Sequence, residues 1–331
     1  MPLSNRLICI ALALGFAASP GPFVVHTARA DAEPETLIDA LNAVFGKHDG
    51  KRAAHTNGIC VKGAFTPAEK ASDYSKAPHL TGKGPFPLVG RFSMGGGAPE
   101  APNTQKDNVR GLALHIEIGK DNVTDMVLIS APVFAAKTPE QFLSLLQTVA
   151  TKDAEKIGAF FKANPESTRQ AAWLMARPVP ASYATATYYG VHTFTLTNGD
   201  GQKKIIKWHV VPKGGDVGLS DEDAKSKAAG FYTPELTDRL AKGPAIFELK
   251  AVLGNEGDEQ NDPTVEWTGT DRKSVVLGEI SISALEDNAT CDAGIFDPSN
   301  VVDGIEGPAN DPIFAIRSSA YAVSLSRRGQ Q

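Results

Sequence analysis

The chain is poor in cysteine, in basic tracts and in long apolar stretches, and each scarcity closes off a class of protein. Three cysteines in 331 residues exclude a disulfide-stapled miniprotein, and their wide spacing excludes a zinc site. No Gly-x-Gly-x-x-Gly, Walker loop or Gly-x-Ser-x-Gly occurs, so the common dinucleotide, nucleotide and serine-hydrolase signatures are missing. A net charge of -5 without basic runs gives no electrostatic footing for nucleic acid. The longest apolar run, residues 7–18, is too short to span a bilayer alone. Internal repeats and low-complexity segments are absent.

That apolar run, behind Arg6, has the form of a secretory signal. Ala28-Arg29-Ala30 satisfies the small-x-small rule of signal peptidase. The expected organisation is therefore a signal peptide at 1–30 and one domain at 31–331, exported most simply to a bacterial periplasm. Cys9 leaves with the signal. An oxidising compartment allows Cys60 and Cys291 to pair, although the apolar setting of Cys60 weighs toward free thiols without deciding the matter.

Periodicity supplies the rest of the architecture. Short runs with β-branched residues, bounded by Gly, Pro, Asn or Asp, predict strands at 56–65, 88–94, 111–118, 124–130, 190–197, 203–211 and 245–251. Asn198-Gly199-Asp200-Gly201 predicts a hairpin, with Asn-Gly supplying the positive φ. Helical spacing runs over 35–45, 139–150, 153–163, 167–176 and 311–326, and 254–263 reads as an acidic loop. Many antiparallel strands with inserted and appended helices predict an α+β fold: an antiparallel β-barrel of about eight strands with a C-terminal helix.

Three constellations carry chemistry. Arg52-Ala53-Ala54-His55 leads into the first strand. In Leu88-Val89-Gly90-Arg91-Phe92-Ser93, alternation puts Val89, Arg91 and Ser93 on one face, and an arginine on a buried face needs an anion. In the C-terminal helix, Arg317 and Tyr321 are four apart and share a face, with Arg328 seven further on. A guanidinium beside a phenol favours phenolate over phenol, and phenolate is a ligand for ferric iron.

In this collinear order, with Val109-Arg110-Gly111 between them, these motifs resemble the haem catalase family. Asp73-Tyr74-Ser75-Lys76-Ala77, Pro132-Val133-Phe134, Gly190-Val191-His192-Thr193-Phe194 and Lys207-Trp208-His209 are similar to further segments of that family. The resemblance runs from about Lys51 to the end. It implies a catalase-like barrel holding haem b. His55 would be the distal base, and Ser93 the serine that hydrogen-bonds it. Arg52, Arg91 and Arg328 would clamp the haem propionates. Tyr321 would be the axial iron ligand with Arg317 as its partner, and His209 a proximal histidine linked to that arginine. Phe134 and Phe142 would pack against the haem.

Departures from the family pattern bear on activity. The family's distal asparagine is replaced by Ile129, and alternation should turn Ser130 away. The chain also ends just after the proximal helix, without most of the wrapping and C-terminal regions of full catalases. Both features lead to the expectation of a peroxidase, with hydrogen or organic peroxide as oxidant, a small organic electron donor as partner, and weak or no catalase activity. A more open haem and a monomer or small homo-oligomer are expected, with neither a nucleic-acid partner nor a membrane span. A fatty-acid hydroperoxide-converting enzyme, a haem-carrying barrel without catalysis and a haem-free ligand barrel remain as other readings. The distal pair His55–Ser93 separates enzyme from carrier, since a carrier has no need of a base.

Overall fold

The computed structural model describes residues 32–120, 122–269 and 271–329; the expected signal segment, its expected cleavage site and Cys9 lie outside them. Eight strands dominate: β1 Gly58–Pro67, β2 Phe86–Met94, β3 Arg110–Glu117, β4 Val123–Ile129, β5 Tyr188–Thr197, β6 Lys203–Pro212, β7 Ala245–Leu253 and β8 Ser274–Leu285. They pair antiparallel in the order β4-β3-β2-β1-β8-β7-β6-β5, and Ile129 opposite Tyr189 closes the sheet into a barrel. A two-residue strand, β9 Ile305–Glu306, adds to β5.

Seven strands fall where alternation predicts them. The eighth, β8, is missed because Gly278 interrupts its run, and glycine inside a strand normally counts against one. Here the glycine makes room: a Cβ at 278 would sit 2.4 Å from the Phe65 ring. The β5–β6 hairpin forms as expected, but its positive φ falls on Gly201. Asn198 acts through its side chain instead, Oδ1 accepting from the Asp200 and Gln202 backbone N–H groups.

Alternation gives each strand two jobs. One face fills the barrel with large side chains, among them Phe65, Phe92, Leu112, Leu114, Tyr188 and Phe247. The other face of β2, β3 and β4 looks toward three helices, Pro34–Phe45, Pro139–Ala150 and Pro312–Gly329. The first two of these pack on each other through Leu37, Ala40, Leu143 and Leu146.

Local chemistry starts each of the three. Pro34 and Pro139 occupy first-turn positions, and the Thr138 hydroxyl caps by accepting from the Gln141 N–H at 3.2 Å. Asp311-Pro312 is the same device at the C-terminal helix: Asp311 Oδ1 accepts from the Phe314 N–H at 3.0 Å. Among the described residues no helix is long and apolar enough to cross a membrane.

Cys60 on β1 and Cys291 in the short helix Asn288–Asp292 are bonded, their Cα atoms 5.8 Å apart. This corrects the weight toward free thiols: Cys60 is buried, as its apolar segment implied, and Cys291 is buried with it. Replacing both with alanine should lower stability by roughly 2–5 kcal/mol, read as a shifted denaturant midpoint under oxidising conditions. An unchanged midpoint would mean that the bridge contributes nothing.

Candidate active site

A largely apolar cavity of about 430 Å³ lies between the barrel wall and the three helices. His55 enters it from the turn before β1 with φ at 56°, a left-handed conformation that costs a non-glycine residue energy and must be held by its surroundings. Arg91 holds it. Nη1 donates to the His55 carbonyl at 2.7 Å and Nη2 to that of Thr56 at 3.1 Å. The ring is fixed separately, with Nδ1 2.9 Å from Ser93 Oγ, which leaves Nε2 for whatever occupies the cavity. Space for this arrangement comes from Gly111, where a Cβ would lie 2.6 Å from Ser93 Oγ and 2.8 Å from His55 Nδ1. Burial, reinforced by Arg91, Arg317 and Arg52, lowers the His55 pKa to about 4. At neutral pH the ring is an unprotonated base.

The C-terminal helix supplies the opposing chemistry. Arg317 and Tyr321 lie one turn apart, and both Nε and Nη2 of the guanidinium donate to the phenol oxygen, at 2.9 and 2.6 Å. Both residues and Arg328 line the cavity. The start of this helix is tied to the barrel, because Asp311 Oδ2 lies 2.6 Å from Nδ1 of buried His192 on β5.

His192, rather than His209, is therefore the histidine near Arg317. It lines the cavity, and its Nε2 is buried without a partner. The expected role of His209 is corrected: on β6 its ring packs edge-on to Tyr189, with centroids 4.7 Å apart, and it does not line the cavity. Tyr189, paired with His209, itself lines the cavity, and an irregularity between Tyr189 and Thr193 breaks the alternation along β5, so that His192 lines it too.

At one end of the cavity three arginines converge. Arg52 Nη2 donates to the Cys291 carbonyl and lies 3.2 Å from Asp292 Oδ1. Arg328 Nη2 donates to the Gly294 carbonyl at 3.2 Å, and Nη1 is 3.9 Å from the same Asp292 oxygen. Beside Arg91, these make three guanidiniums against one carboxylate. Arg52 Nε and Arg328 Nε and Nη1 are buried with no hydrogen-bond partner, an arrangement that calls for further anions. Two carboxylates would both balance the charge and fill those positions. Haem, a flat apolar disc with two propionates, matches this cradle, the apolar walls and the phenol oxygen together. Among the described residues no cluster of three His, Cys, Asp or Glu side chains could hold a bare metal ion.

Sequence reasoning missed Asp292, whose partners are remote in the chain, and Asp311, although Asp-Pro before a helical run is a readable cap. The expected aromatic pair is present: Phe134 and Phe142 line the cavity with centroids 5.1 Å apart. Ile129 also lines it, while Ser130 is turned away, its hydroxyl accepting from the Arg110 N–H at 2.9 Å. His55 thus has an apolar neighbour where the family pattern places an amide.

The catalase family model matches residues 33–330. A catalase-related peroxidase of Synechococcus elongatus is 35% identical, the match covering 98% of this chain and 96% of that protein. One of Mycolicibacterium paratuberculosis is 33% identical over 89% of this chain and 94% of the relative. Catalase-2 of Bacillus subtilis is 28% identical over 84% of this chain but only 44% of its own length. With a barrel, a cavity and this match over nearly all of the described residues, the chain belongs to the catalase family.

Proposed function

We propose that the protein is a haem b-dependent peroxidase of the periplasm, which reduces hydrogen or organic peroxide at the expense of small organic donors and has weak catalase activity. The observation that carries the reading is the pairing, in one cavity, of a neutral, half-buried imidazole with a phenol oxygen bound twice by a guanidinium. Two relatives alike over most of both chains bear the name catalase-related peroxidase. The disulfide supports export, since such bridges persist in oxidising compartments.

When bound, haem supplies the redox-active iron that peroxide oxidises and donors reduce. Tyr321 would ligate that iron through its phenol oxygen, kept as an acceptor by Arg317. Arg52, Arg91 and Arg328 would hold the propionates. His55 does the proton work: Nε2 takes the proton from the attacking peroxide oxygen and returns it to the leaving one. Ser93 keeps the ring oriented through both transfers. Ile129 offers no hydrogen bond to orient a second peroxide, which is the oxidation step that distinguishes a catalase from a peroxidase. Loss of one positioned donor costs roughly 10²–10³ in rate at comparable sites. A haem carrier would have no use for the His55–Ser93 pair.

Four outcomes check this reading. Tyr321→Phe should purify without stable haem, seen as a lost Soret band, and normal loading would show that another residue is the ligand. His55→Ala should keep the haem but react with peroxide 10²–10⁴-fold more slowly in stopped-flow measurements. In the parent enzyme that rate should be flat around neutrality and fall only as the pH drops through about 4, where His55 becomes protonated. Ile129→Asn should raise oxygen evolution from peroxide; no gain would remove Ile129 as the reason for weak catalase activity.

A further inference from the structure

The cavity wall continues outward into a second pair of chemistry-bearing side chains. Along β3 and β4, Gly111 stands opposite Ile129, Ala113 opposite Val127 and His115 opposite Asp125. The first two pairs line the cavity, and the period of two keeps the third on the same face, one step beyond. His115 Nδ1 lies 2.6 Å from Asp125 Oδ1. The Asp125 carboxylate is fully buried and its other oxygen accepts from the Asp297 N–H and from Asn300 Nδ2, both at 2.9 Å.

Those last two bonds, with the Asp125 N–H donating to the Asn300 carbonyl, already tie β4 to the segment crossing it. His115 is not needed for that tie. Its side chain is 33% exposed, and Nε2 has no hydrogen-bond partner among the described residues. The imidazole meets Phe296 edge-on, centroids 6.4 Å apart, and Phe296 in turn lines the cavity. A carboxylate-oriented imidazole, an aromatic ring and the cavity are thus contiguous.

The geometry points to His115 as a second proton acceptor, serving neutral phenolic donors that dock against Phe296 at the outer edge of the cavity. This rests on the peroxidase reading above and names its donor class. A phenol gives one electron to the peroxide-oxidised cofactor and its O–H proton to His115 Nε2, and leaves as a phenoxyl radical. Two phenols and one hydrogen peroxide yield two radicals and two waters. The carboxylate on Nδ1 fixes the tautomer and makes Nε2 the stronger base. Asp125 and Glu117 are the charged groups that act on the imidazole. Asp297 is turned to Ser299, and Val89 opposite His115 on β2 is uncharged. Two acidic neighbours disfavour donors that carry a carboxylate.

The holoenzyme and its His115→Gln variant would be compared with 4-methoxyphenol, which must lose a proton on oxidation, and ferrocyanide, which loses none. The ratio of kcat/KM for phenol to that for ferrocyanide should fall on the order of tenfold or more in the variant. Phenol oxidation in the parent should rise with pH as His115 loses its proton, and that rise should be absent from the variant. Equilibrium dialysis should show weaker 4-methoxyphenol binding to the variant. Ferrocyanide oxidation with an unchanged ratio, or equal phenol binding by both proteins, overturns the proposal alone. If the parent enzyme oxidises neither donor, the peroxidase reading has failed and the proposal falls with it.

Discussion

Two N–H groups of one guanidinium on one phenol oxygen is the contact on which the rest of the site depends. With Arg317 Nε and Nη2 both donating to it, the Tyr321 oxygen is committed as an acceptor, and charge-assisted bonds of this kind are the strong ones. The pairing is local, one helical turn, but its placement is not. Asp311 caps the helix with one oxygen and holds His192 on β5 with the other. The same residue therefore starts the helix that carries Tyr321 and fixes where that helix meets the barrel.

The site is a balance of charges in a poorly solvated space. Three guanidiniums gather at one end, partly neutralised by Asp292, and burial drives Arg52 down to about 9. Such a cluster is costly without anions, which is why it reads as a cradle for two carboxylates rather than as a structural network. The disulfide enters here. Cys291, bonded to β1, presents its carbonyl to Arg52, and Asp292 and Gly294 follow at once. A covalent link on the barrel wall thus anchors the short helix and following turn that orient two of the three arginines.

Strand alternation organises the opposite side. One face of β3 and β4 provides, pair by pair, the wall beside His55, the apolar flank and then the His115–Asp125 dyad. Gly111 is small because His55 and Ser93 need its space. At Ile129 the wall offers a methyl surface, and the hydroxyl of the next residue, Ser130, is already engaged by a backbone N–H. His55 thus faces the cavity with its base in place and with an apolar side chain on the adjoining wall.

What the sequence alone determined is whatever depends on near neighbours. Helical spacing set Arg317, Tyr321 and Arg328 on one face. Alternation set Arg91 and Ser93 together, and Arg52-x-x-His55 placed a base at a strand start. Seven strands and the three cavity helices were legible for the same reason. The tertiary structure decided what depends on register and on partners far along the chain. His192 and His209 are equivalent as letters, but the irregularity in β5 brings the first to the cavity and the β5–β6 pairing sets the second against Tyr189. Cys60 and Cys291 lie 231 residues apart, and no local pattern says that they meet or that Asp292 thereby joins the arginines. Periodicity fixes which side a residue faces; only closure of the barrel fixes what it faces.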